Sequence, residues 1–308
     1  MSSPGWTLII HGGSGSMTRD SLSPTDDAAG RAGLATALDV GGTLLSSGGA
    51  ALDAVQAAVR AMEDDPAFNA GRGSVFTADG RVECDAALMD GASGRAGAVA
   101  GTRSTRNPVD LARAVMEESA HVFLAGSGAD AFARAQGVAQ APPGWFETPE
   151  RRRQLEEILA RPDAPFDLGM KYGTVGAVAR DVEGRVAAAT STGGLTGKRW
   201  GRVGDSPLIG AGTYADAMTA VSCTGAGEYF IRMAFAHELC ARVRLAGFTT
   251  LAAANSLVAQ LDALGGKGGT IALGRDGRGG WAFNTPGMYR ARATADGTRA
   301  VAIYGDEG

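Results

Sequence analysis

Residues 171–179 read KYGTVGAVA, and the interpretation of the chain rests on them. Small residues lead into an apolar, β-branched run, which predicts a buried strand that opens at Thr174. A threonine hydroxyl is a weak nucleophile that needs an adjacent base. An N-terminal threonine carries one in its own α-amine, whose pKa is about 8 when unperturbed. In an intact chain that nitrogen is an amide. We therefore expect the protein to cut its own Gly173–Thr174 bond and to use Thr174 as the nucleophile.

The Gly173–Thr174 pair could be a self-cleavage site or an ordinary turn, and the residues around it bear on that choice. A Gly-Thr pair before a strand is also typical of an ordinary turn followed by a β-branched residue. However, Gly173 permits strained backbone angles and leaves room for the Thr174 hydroxyl to attack the preceding carbonyl. The preceding segment, 137–172, holds five of the eleven prolines and the charged run PERRRQLEEILARPD. That run predicts a solvated helix or a loose linker, and a mobile tail suits self-cleavage.

Composition excludes several classes of protein. The 308 residues are 44% hydrophobic and 20% charged, so the chain can bury a sizeable core, and its 47 glycines indicate many tight turns. The net charge of −4, with both signs interspersed, suggests neither a nucleic acid nor an anionic membrane as a partner. Three unclustered cysteines fit free thiols in a reducing compartment. The N-terminus shows no signal-peptide pattern. We therefore expect a cytoplasmic protein.

Strands and helices occur in blocks on both sides of Thr174, which predicts an α+β protein with sheets covered by layers of helices. We expect a strand over 6–10 that ends at a glycine-rich turn, 11–15. Residues after Thr174 predict a hairpin with a turn at Glu183–Gly184. Further strands are predicted at 270–273, 280–283 and 299–304, and helices at 26–47, 52–62, from Pro108, at 127–136, 227–245 and 251–264.

The whole chain resembles the plant-type L-asparaginase / isoaspartyl peptidase family of N-terminal-nucleophile hydrolases. Family-like segments follow one another in family order: IHGGSG (10–15), FNAGRGSVF (68–76), ECDAALMDG (83–91), AVAGTRSTRNPVDLARAVMEESAHVFLAG (98–126), GTVGAVARD (173–181), AATSTGGLTGKRWGRVGDSPLIGAGTYAD (188–216), SCTGAGEYFIR (222–232) and NTPGMYRA (284–291). The resemblance implies a four-layer αββα sandwich in one domain, 1–308. It also implies cleavage into an α subunit, 1–173, with a flexible linker at about 137–173, and a β subunit, 174–308.

The resemblance assigns catalytic roles to several of these residues. Thr174 would be the nucleophile and, through its freed amine, the base. Thr192 would hydrogen-bond to Thr174, and Asn69 would support it. Thr224 and Gly225 would form an oxyanion hole. Each hydrogen-bond donor of such a hole stabilises the transition state by roughly a few kcal/mol. The alternative for the TGAG segment is a plain turn that caps the following helix. We interpret His11 as a structural residue instead of a general base.

The resemblance also implies which residues bind the substrate. Arg202 would hold the α-carboxylate of an aspartyl group and Asp205 its α-ammonium, with Gly227 leaving space beside them; a guanidinium fork suits a carboxylate, and a carboxylate pairs with an ammonium. An ordinary surface salt bridge is the alternative for that pair. No cofactor is required for the chemistry, but the family binds a structural Na⁺ through backbone carbonyls that correspond here to Met62, Glu63, Asp65, Phe68, Ala70 and Arg72. The expected partners are a small-molecule or dipeptide substrate and, after cleavage, a second αβ unit in a homodimer.

The chain departs from the family pattern at Gly197 and at Arg199–Trp200. A positive Arg199 would favour acidic or longer β-aspartyl peptides as substrates. Three rivals stay open: a glycosylasparaginase-like amidase, a threonine endopeptidase of the same superfamily, and an aspartate- or asparagine-binding protein that never matures. A GxGxxA pattern at 208–215 could indicate a dinucleotide site, but the residues that follow predict a strand instead of the required helix.

Overall fold

The computed structural model describes residues 5–160 and 173–307, and two β-sheets lie at its centre. Lys171 and Tyr172 fall outside the described residues. The strands are β1 (Thr7–Gly15), β2 (Cys84–Asp90), β3 (Ala96–Thr102), β4 (Phe123–Ala125), β5 (Val175–Arg180), β6 (Val186–Thr192), β7 (Thr213–Ala215), β8 (Thr219–Gly225), β9 (Gly268–Gly274), β10 (Gly279–Phe283), β11 (Gly287–Thr294) and β12 (Arg299–Tyr304). The larger sheet has eight strands in the order β12-β11-β1-β5-β6-β2-β3-β4, and the smaller has four in the order β10-β9-β8-β7.

Helices cover the outer face of each sheet. They are α1 (Pro24–Ser46), α2 (Ala51–Asp64), α3 (Pro108–Glu118), α4 (Gly126–Ala135), α5 (Pro149–Leu159), α6 (Gly227–Met233), α7 (Phe235–Ala246) and α8 (Thr250–Ala263), with a short 3-10 turn at Gly71–Gly73. Helices α1, α2 and α3 pack on the larger sheet, and α7 and α8 pack on the smaller one. The result is the αββα sandwich expected from the sequence.

Strand β1 shows why the central strands read as continuous apolar runs. Leu8 and Ile10 point toward the helices, whereas Ile9 points between the two sheets and belongs to the same apolar cluster as Ile271 of the smaller sheet. Side chains alternate between the faces of a strand, and here both faces are buried. Each large aliphatic side chain buried in this way contributes about 1.5–3 kcal/mol. Strand β5 alternates likewise, with Ala177 facing the helices and Val178 facing the other sheet.

Most predicted elements are confirmed, but β1 is longer than expected. The predicted turn at 11–15 instead continues the strand to Gly15. A bulge between His11 and Gly13 lets β1 stay paired with β11, and Gly13 takes the required φ of +111° at low steric cost.

The helix predicted over 227–245 is broken. Ala234 adopts a left-handed conformation, with φ of +45°, and separates α6 from α7. The cause is tertiary: the N–H groups of Ala236 and His237 donate to the carbonyls of Ala211 and Gly210 instead of to the preceding helical turn. The composition of this segment alone favours one continuous helix.

The linker expected at about 137–173 contains a packed helix. Helix α5 is capped by the Thr148 hydroxyl, which accepts from the Arg151 N–H. The buried guanidinium of Arg151 donates to the Gly73 carbonyl at 2.7 Å, and Leu155 packs with Phe76. The solvated helix predicted here is therefore present, but one of its faces is anchored. Residues 161–172 of the expected linker lie outside the described part of the chain. Within the described residues, no helix is both long and apolar enough to cross a bilayer.

Candidate active site

Thr174 lies immediately before β5, at the floor of a narrow cavity, and is only 7% exposed. Its hydroxyl donates to the Thr192 hydroxyl at 3.0 Å and lies 3.4 Å from the Ser206 hydroxyl. Thr192 ends β6, the direct neighbour of β5, so the hairpin between these strands brings the two threonines together. The three hydroxyls therefore form one buried polar cluster.

The residues that line this cavity include most of the predicted site. Its walls are Asn69, Ile158, Gly173, Thr174, Thr192, Gly194, Leu195, Thr196, Arg202, Gly204, Asp205, Ser206 and Gly225. Asn69 and Arg202 come from opposite sides of the expected cleavage point in the chain. The structure therefore brings together residues that are distant in sequence, and Ile158 adds α5 to the wall.

Gly173 sits between two backbone segments at very close range. A Cβ built on Gly13 would lie 2.5 Å from the Gly173 nitrogen, and a Cβ built on Gly173 would lie 2.7 Å from the Thr224 Oγ1. A side chain on Gly13 would collide with the Gly173 backbone, and a side chain on Gly173 would displace the Thr224 hydroxyl and crowd the Gly13 Cα at 3.1 Å. The Thr224 hydroxyl is thus adjacent to the 173–174 peptide. Ser14 holds Thr224 through two contacts: its N–H to the Thr224 hydroxyl at 3.4 Å and its hydroxyl to the Thr224 carbonyl at 3.2 Å.

Asn69 positions the turn that follows Thr192. Its side-chain amide donates to the Gly194 carbonyl at 2.8 Å, and its Oδ1 accepts from the Val75 N–H at 3.0 Å. The Gly194 N–H in turn donates to the Thr192 hydroxyl at 3.0 Å. Asn69 therefore acts on Thr174 indirectly, by fixing the partner of the Thr174 hydroxyl.

Arg202 and Asp205 flank Gly227 on one side of the cavity. A Cβ built on Gly227 would lie 2.8 Å from the Asp205 Oδ1 and 3.0 Å from the Arg202 Nη2. The Arg202 guanidinium donates to both carboxylate oxygens of Glu228, each at 3.0 Å. Asp205 is 3% exposed, and its Oδ2 has no hydrogen-bond partner among the described residues. This wall of the cavity therefore holds a guanidinium paired with Glu228 beside a buried carboxyl group that has one unpartnered oxygen among the described residues.

Burial raises the pKa of the Asp205 carboxyl to about 7, while hydrogen bonds from its own backbone N–H and the charge of Arg202 act in the opposite direction. A buried carboxyl group with an unpartnered oxygen is costly unless a donor or a cation meets it. Strongly shifted groups that line a cavity are typical of functional sites. Asp205 is the strongest electrostatic marker of this cavity.

Sequence reasoning missed three neighbours of the site. Ser206 approaches the Thr174 hydroxyl, Glu228 occupies the Arg202 fork, and Ser14 holds Thr224. Each lies inside or beside one of the family-like segments, but its partner belongs to a different segment of the chain, so no local spacing could reveal the contact. Trp200 is one of the positions at which the chain departs from the family pattern. Its side chain is 96% exposed, and its backbone is left-handed, with φ of +56°.

The loop expected to hold Na⁺ follows α2 and packs back on its end. A Cβ on Gly71 would lie 2.4 Å from the Glu63 carbonyl oxygen, and one on Gly73 would lie 2.0 Å from the Phe68 carbonyl oxygen. The glycine backbone therefore approaches these two oxygens closely. The carbonyls of Met62, Asp65 and Ala70 also accept hydrogen bonds within the loop, and Arg72 lies in its 3-10 turn.

Comparison with known proteins agrees with this geometry. A family model described as asparaginase matches residues 4–303. An isoaspartyl peptidase of Salmonella typhimurium is 47% identical over 306 residues, covering 96% of this chain and 98% of its own. An isoaspartyl peptidase of Escherichia coli is 46% identical, with 98% and 97% covered, and a plant-type L-asparaginase of Pyrococcus horikoshii is 42% identical, with 92% and 95% covered. The chain therefore belongs to the plant-type L-asparaginase and isoaspartyl peptidase family of N-terminal-nucleophile hydrolases.

Proposed function

We propose that this protein is a threonine amidohydrolase that cuts itself at Gly173–Thr174. It then hydrolyses the side-chain amide of L-asparagine and the isopeptide bond of β-aspartyl dipeptides. The observation that carries the proposal is the arrangement of the cavity, in which the Thr174 hydroxyl, paired with Thr192, faces the same space as Arg202 and Asp205. Relatives that cover nearly the whole chain carry the names isoaspartyl peptidase and L-asparaginase.

In the first stage, the Thr174 hydroxyl oxygen attacks the Gly173 carbonyl carbon. The C–N bond breaks, the hydroxyl proton is transferred to the nitrogen, which becomes the α-amine of Thr174, and an ester joins Gly173 to the Thr174 oxygen. Water hydrolyses this ester and releases chains 1–173 and 174–308. The close packing of Gly13, Gly173 and Thr224 supports this stage, because it holds the scissile peptide between fixed groups.

In the second stage, Arg202 and Asp205 hold the α-carboxylate and the α-ammonium of the substrate, and the incoming carboxylate displaces Glu228 from the guanidinium fork. The Thr174 amine accepts the proton of its own hydroxyl as the oxygen attacks the side-chain carbonyl. The Thr224 hydroxyl and the Gly225 N–H stabilise the oxyanion. Ammonia or the peptide amine leaves, and water hydrolyses the aspartyl ester.

Two further features belong to the same proposal. Hard cations prefer oxygen ligands, so the carbonyls of the 62–72 loop would hold Na⁺ as a structural ion that keeps Asn69 in place, and no reaction step passes through it. The mature enzyme would be a homodimer of cleaved αβ units, which light scattering of the purified protein would test.

Intact mass under denaturing conditions tests the function directly. We expect two chains that meet at Gly173/Thr174, followed by activity on asparagine and β-aspartyl dipeptides. A single chain of 31.2 kDa that persists on long incubation would favour the binding protein that never matures. Two chains that act on glycosylated asparagine alone would favour the glycosylasparaginase-like amidase.

The ionisation of Asp205 predicts an acid limb in substrate binding. Only the carboxylate pairs with the substrate ammonium, and its pKa lies near 7 in the free enzyme. As the pH falls through about 7, Asp205 becomes protonated, so KM should rise and kcat/KM should fall. Steady-state assays across pH on the cleaved enzyme would measure this. A KM that stays constant from about pH 8 to about pH 5 would contradict it.

A methyl group at Gly227 should close the substrate site without unfolding the protein. Gly227 has an ordinary helical backbone, so Gly227→Ala is sterically costly only at Arg202 and Asp205. We expect KM to rise about 10²-fold, with self-cleavage intact. Gly128→Ala is the matched control, because Gly128 also lies in the first turn of a helix and a Cβ there would meet nothing within 4 Å. Equal KM values for the two variants would refute the placement of the substrate.

A further inference from the structure

His11 makes two hydrogen bonds at the centre of the sandwich. It is fully buried on β1, with its Nδ1 3.0 Å from the Thr174 carbonyl oxygen and its Nε2 2.9 Å from the Ser222 hydroxyl. Ser222 belongs to the smaller sheet, so the ring bridges the two sheets. A contact to the nucleophile's own backbone is unlike any role assigned above, because it involves neither the hydroxyl nor the substrate.

The chemistry of these partners determines where the imidazole proton lies. A carbonyl oxygen only accepts, so Nδ1 must carry the hydrogen. Burial lowers the pKa of His11 to about 3, against the opposing effect of the Thr174 hydrogen bond, so the ring is neutral near pH 7. Nε2 is therefore an acceptor and the Ser222 hydroxyl must donate to it.

Two further hydroxyls continue this order. The Ser222 oxygen lies 2.7 Å from the Thr190 hydroxyl, and Ser222 has already used its single hydrogen, so Thr190 donates to it. Thr213 donates to the Thr190 oxygen at 2.6 Å and also lies 2.9 Å from the carbonyl of Ser206. Ser206 is the residue whose hydroxyl approaches Thr174. Thr213 has then used its single hydrogen on Thr190, so the chain of hydrogen bonds starts at the Thr174 carbonyl and ends at Thr213.

Gly176 makes this arrangement sterically possible. It lies directly between His11 and Thr190 across three adjacent strands, in register with both. The Ser222 side chain, from β8 of the smaller sheet, faces this position. A Cβ on Gly176 would lie 2.0 Å from the Ser222 Oγ and 2.4 Å from the His11 Nε2. A side chain at Gly176, the second glycine of the GTVG segment, would therefore occupy the space of the His11–Ser222 hydrogen bond.

We propose that His11 is a positioning residue for the nucleophile: its Nδ1–H fixes the Thr174 carbonyl, and Ser222 holds the ring in the tautomer that can do so. This proposal rests on the proposed function. A carbonyl fixed on one side of the Thr174 Cα restricts rotation of the residue, so its amine and hydroxyl stay aimed into the cavity. A misplacement of about 1 Å at a reacting group can lower a rate about 10²-fold.

Two amide substitutions distinguish the roles of the Nδ1 and Nε2 atoms of His11. The asparagine amide in His11→Asn reaches the Nδ1 position, so it can still donate to the Thr174 carbonyl. The glutamine amide in His11→Gln reaches the Nε2 position and loses that bond. We expect His11→Asn to keep kcat for a β-aspartyl dipeptide within about tenfold of wild type, and His11→Gln to lose about 10²-fold, both with KM within about threefold. His237→Gln, an exposed histidine on α7, is the control for the substitution itself.

Equal losses in the asparagine and glutamine variants, or a rise in KM without a fall in kcat, would overturn the proposal. Cleavage of each variant is followed by denaturing gel, so that kcat is computed per cleaved enzyme. A wild-type protein that never cleaves would refute the proposed function instead, and that result is independent of His11.

A spectroscopic test covers the case in which the variants do not fold. Nitrogen-15 NMR of histidine-labelled wild-type protein should show one neutral ring with its hydrogen on Nδ1, unchanged from about pH 8 to about pH 5. His121 and His237 are exposed and supply internal references. A buried ring with its hydrogen on Nε2 could not donate to the Thr174 carbonyl, and the proposal would fall.

Discussion

Thr174→Ala should yield a single uncut chain with no measurable hydrolysis of asparagine or β-aspartyl dipeptides. The substitution removes the oxygen that attacks Gly173 and the oxygen that would attack the substrate, so both stages stop. Removal of a catalytic nucleophile typically lowers kcat by several orders of magnitude, and we expect a loss of at least about 10⁴-fold. Denaturing mass spectrometry and an ammonia-release assay on the same preparation would measure the two effects.

Thr174→Ser is the matched control for this result. Serine keeps the hydroxyl but loses the methyl group that helps to fix its rotamer at the start of β5. We expect this variant to cut itself more slowly and to keep part of the activity. A Thr174→Ala protein that is still cut at 173–174, or that still hydrolyses substrate, would show that another group is the nucleophile.

Asp205→Asn should separate the two stages. The carboxyl group touches neither Gly173 nor the Thr174 hydroxyl, so self-cleavage should proceed. The substrate ammonium loses its charged partner in a buried site, which is worth several kcal/mol, and kcat/KM should fall by at least about 10³-fold, mainly through KM. The acid limb of KM near pH 7 should disappear with it. Steady-state kinetics on the cleaved variant, at about pH 8, where the wild-type carboxyl is ionised, provides the comparison.

The opposite pattern would change the model of the site. If Asp205→Asn cleaves poorly but the cleaved fraction binds substrate normally, the residue belongs to the processing machinery. Its unpartnered Oδ2 would then need a different explanation from a substrate ammonium.

Local pattern predicted most of the secondary structure, because apolar periodicity and turn residues act over a few positions. It failed where a distant partner decides the outcome. Ala234 breaks a segment of good helix formers because carbonyls of the 210–211 turn capture the N–H groups of the next helix. Strand β1 continues past Ile10 because β11, which is distant in the chain, keeps pairing with it through a bulge.

The same limit applies to the site. Short motifs and the family resemblance predicted Asn69, Thr192, Arg202 and Asp205, and the structure places all four around one cavity with Thr174. Neither predicts that the Asp205 Oδ2 lacks a partner among the described residues or that His11 holds the Thr174 carbonyl. Those facts depend on side-chain pairs brought together only by the stacking of two sheets.

The strand order of the larger sheet has a consequence for how the protein could recover from denaturation. Strands β1 to β4 precede the 173–174 bond and β5 onward follow it, yet the two groups alternate in the sheet through the β11–β1, β1–β5 and β6–β2 ladders. The intact chain folds in a first-order reaction. Once cut and unfolded, the same molecule can refold only by a second-order encounter of two fragments, so its recovery should slow on dilution. Maturation would then convert reversible stability into kinetic stability, set by how slowly the interleaved sheet opens.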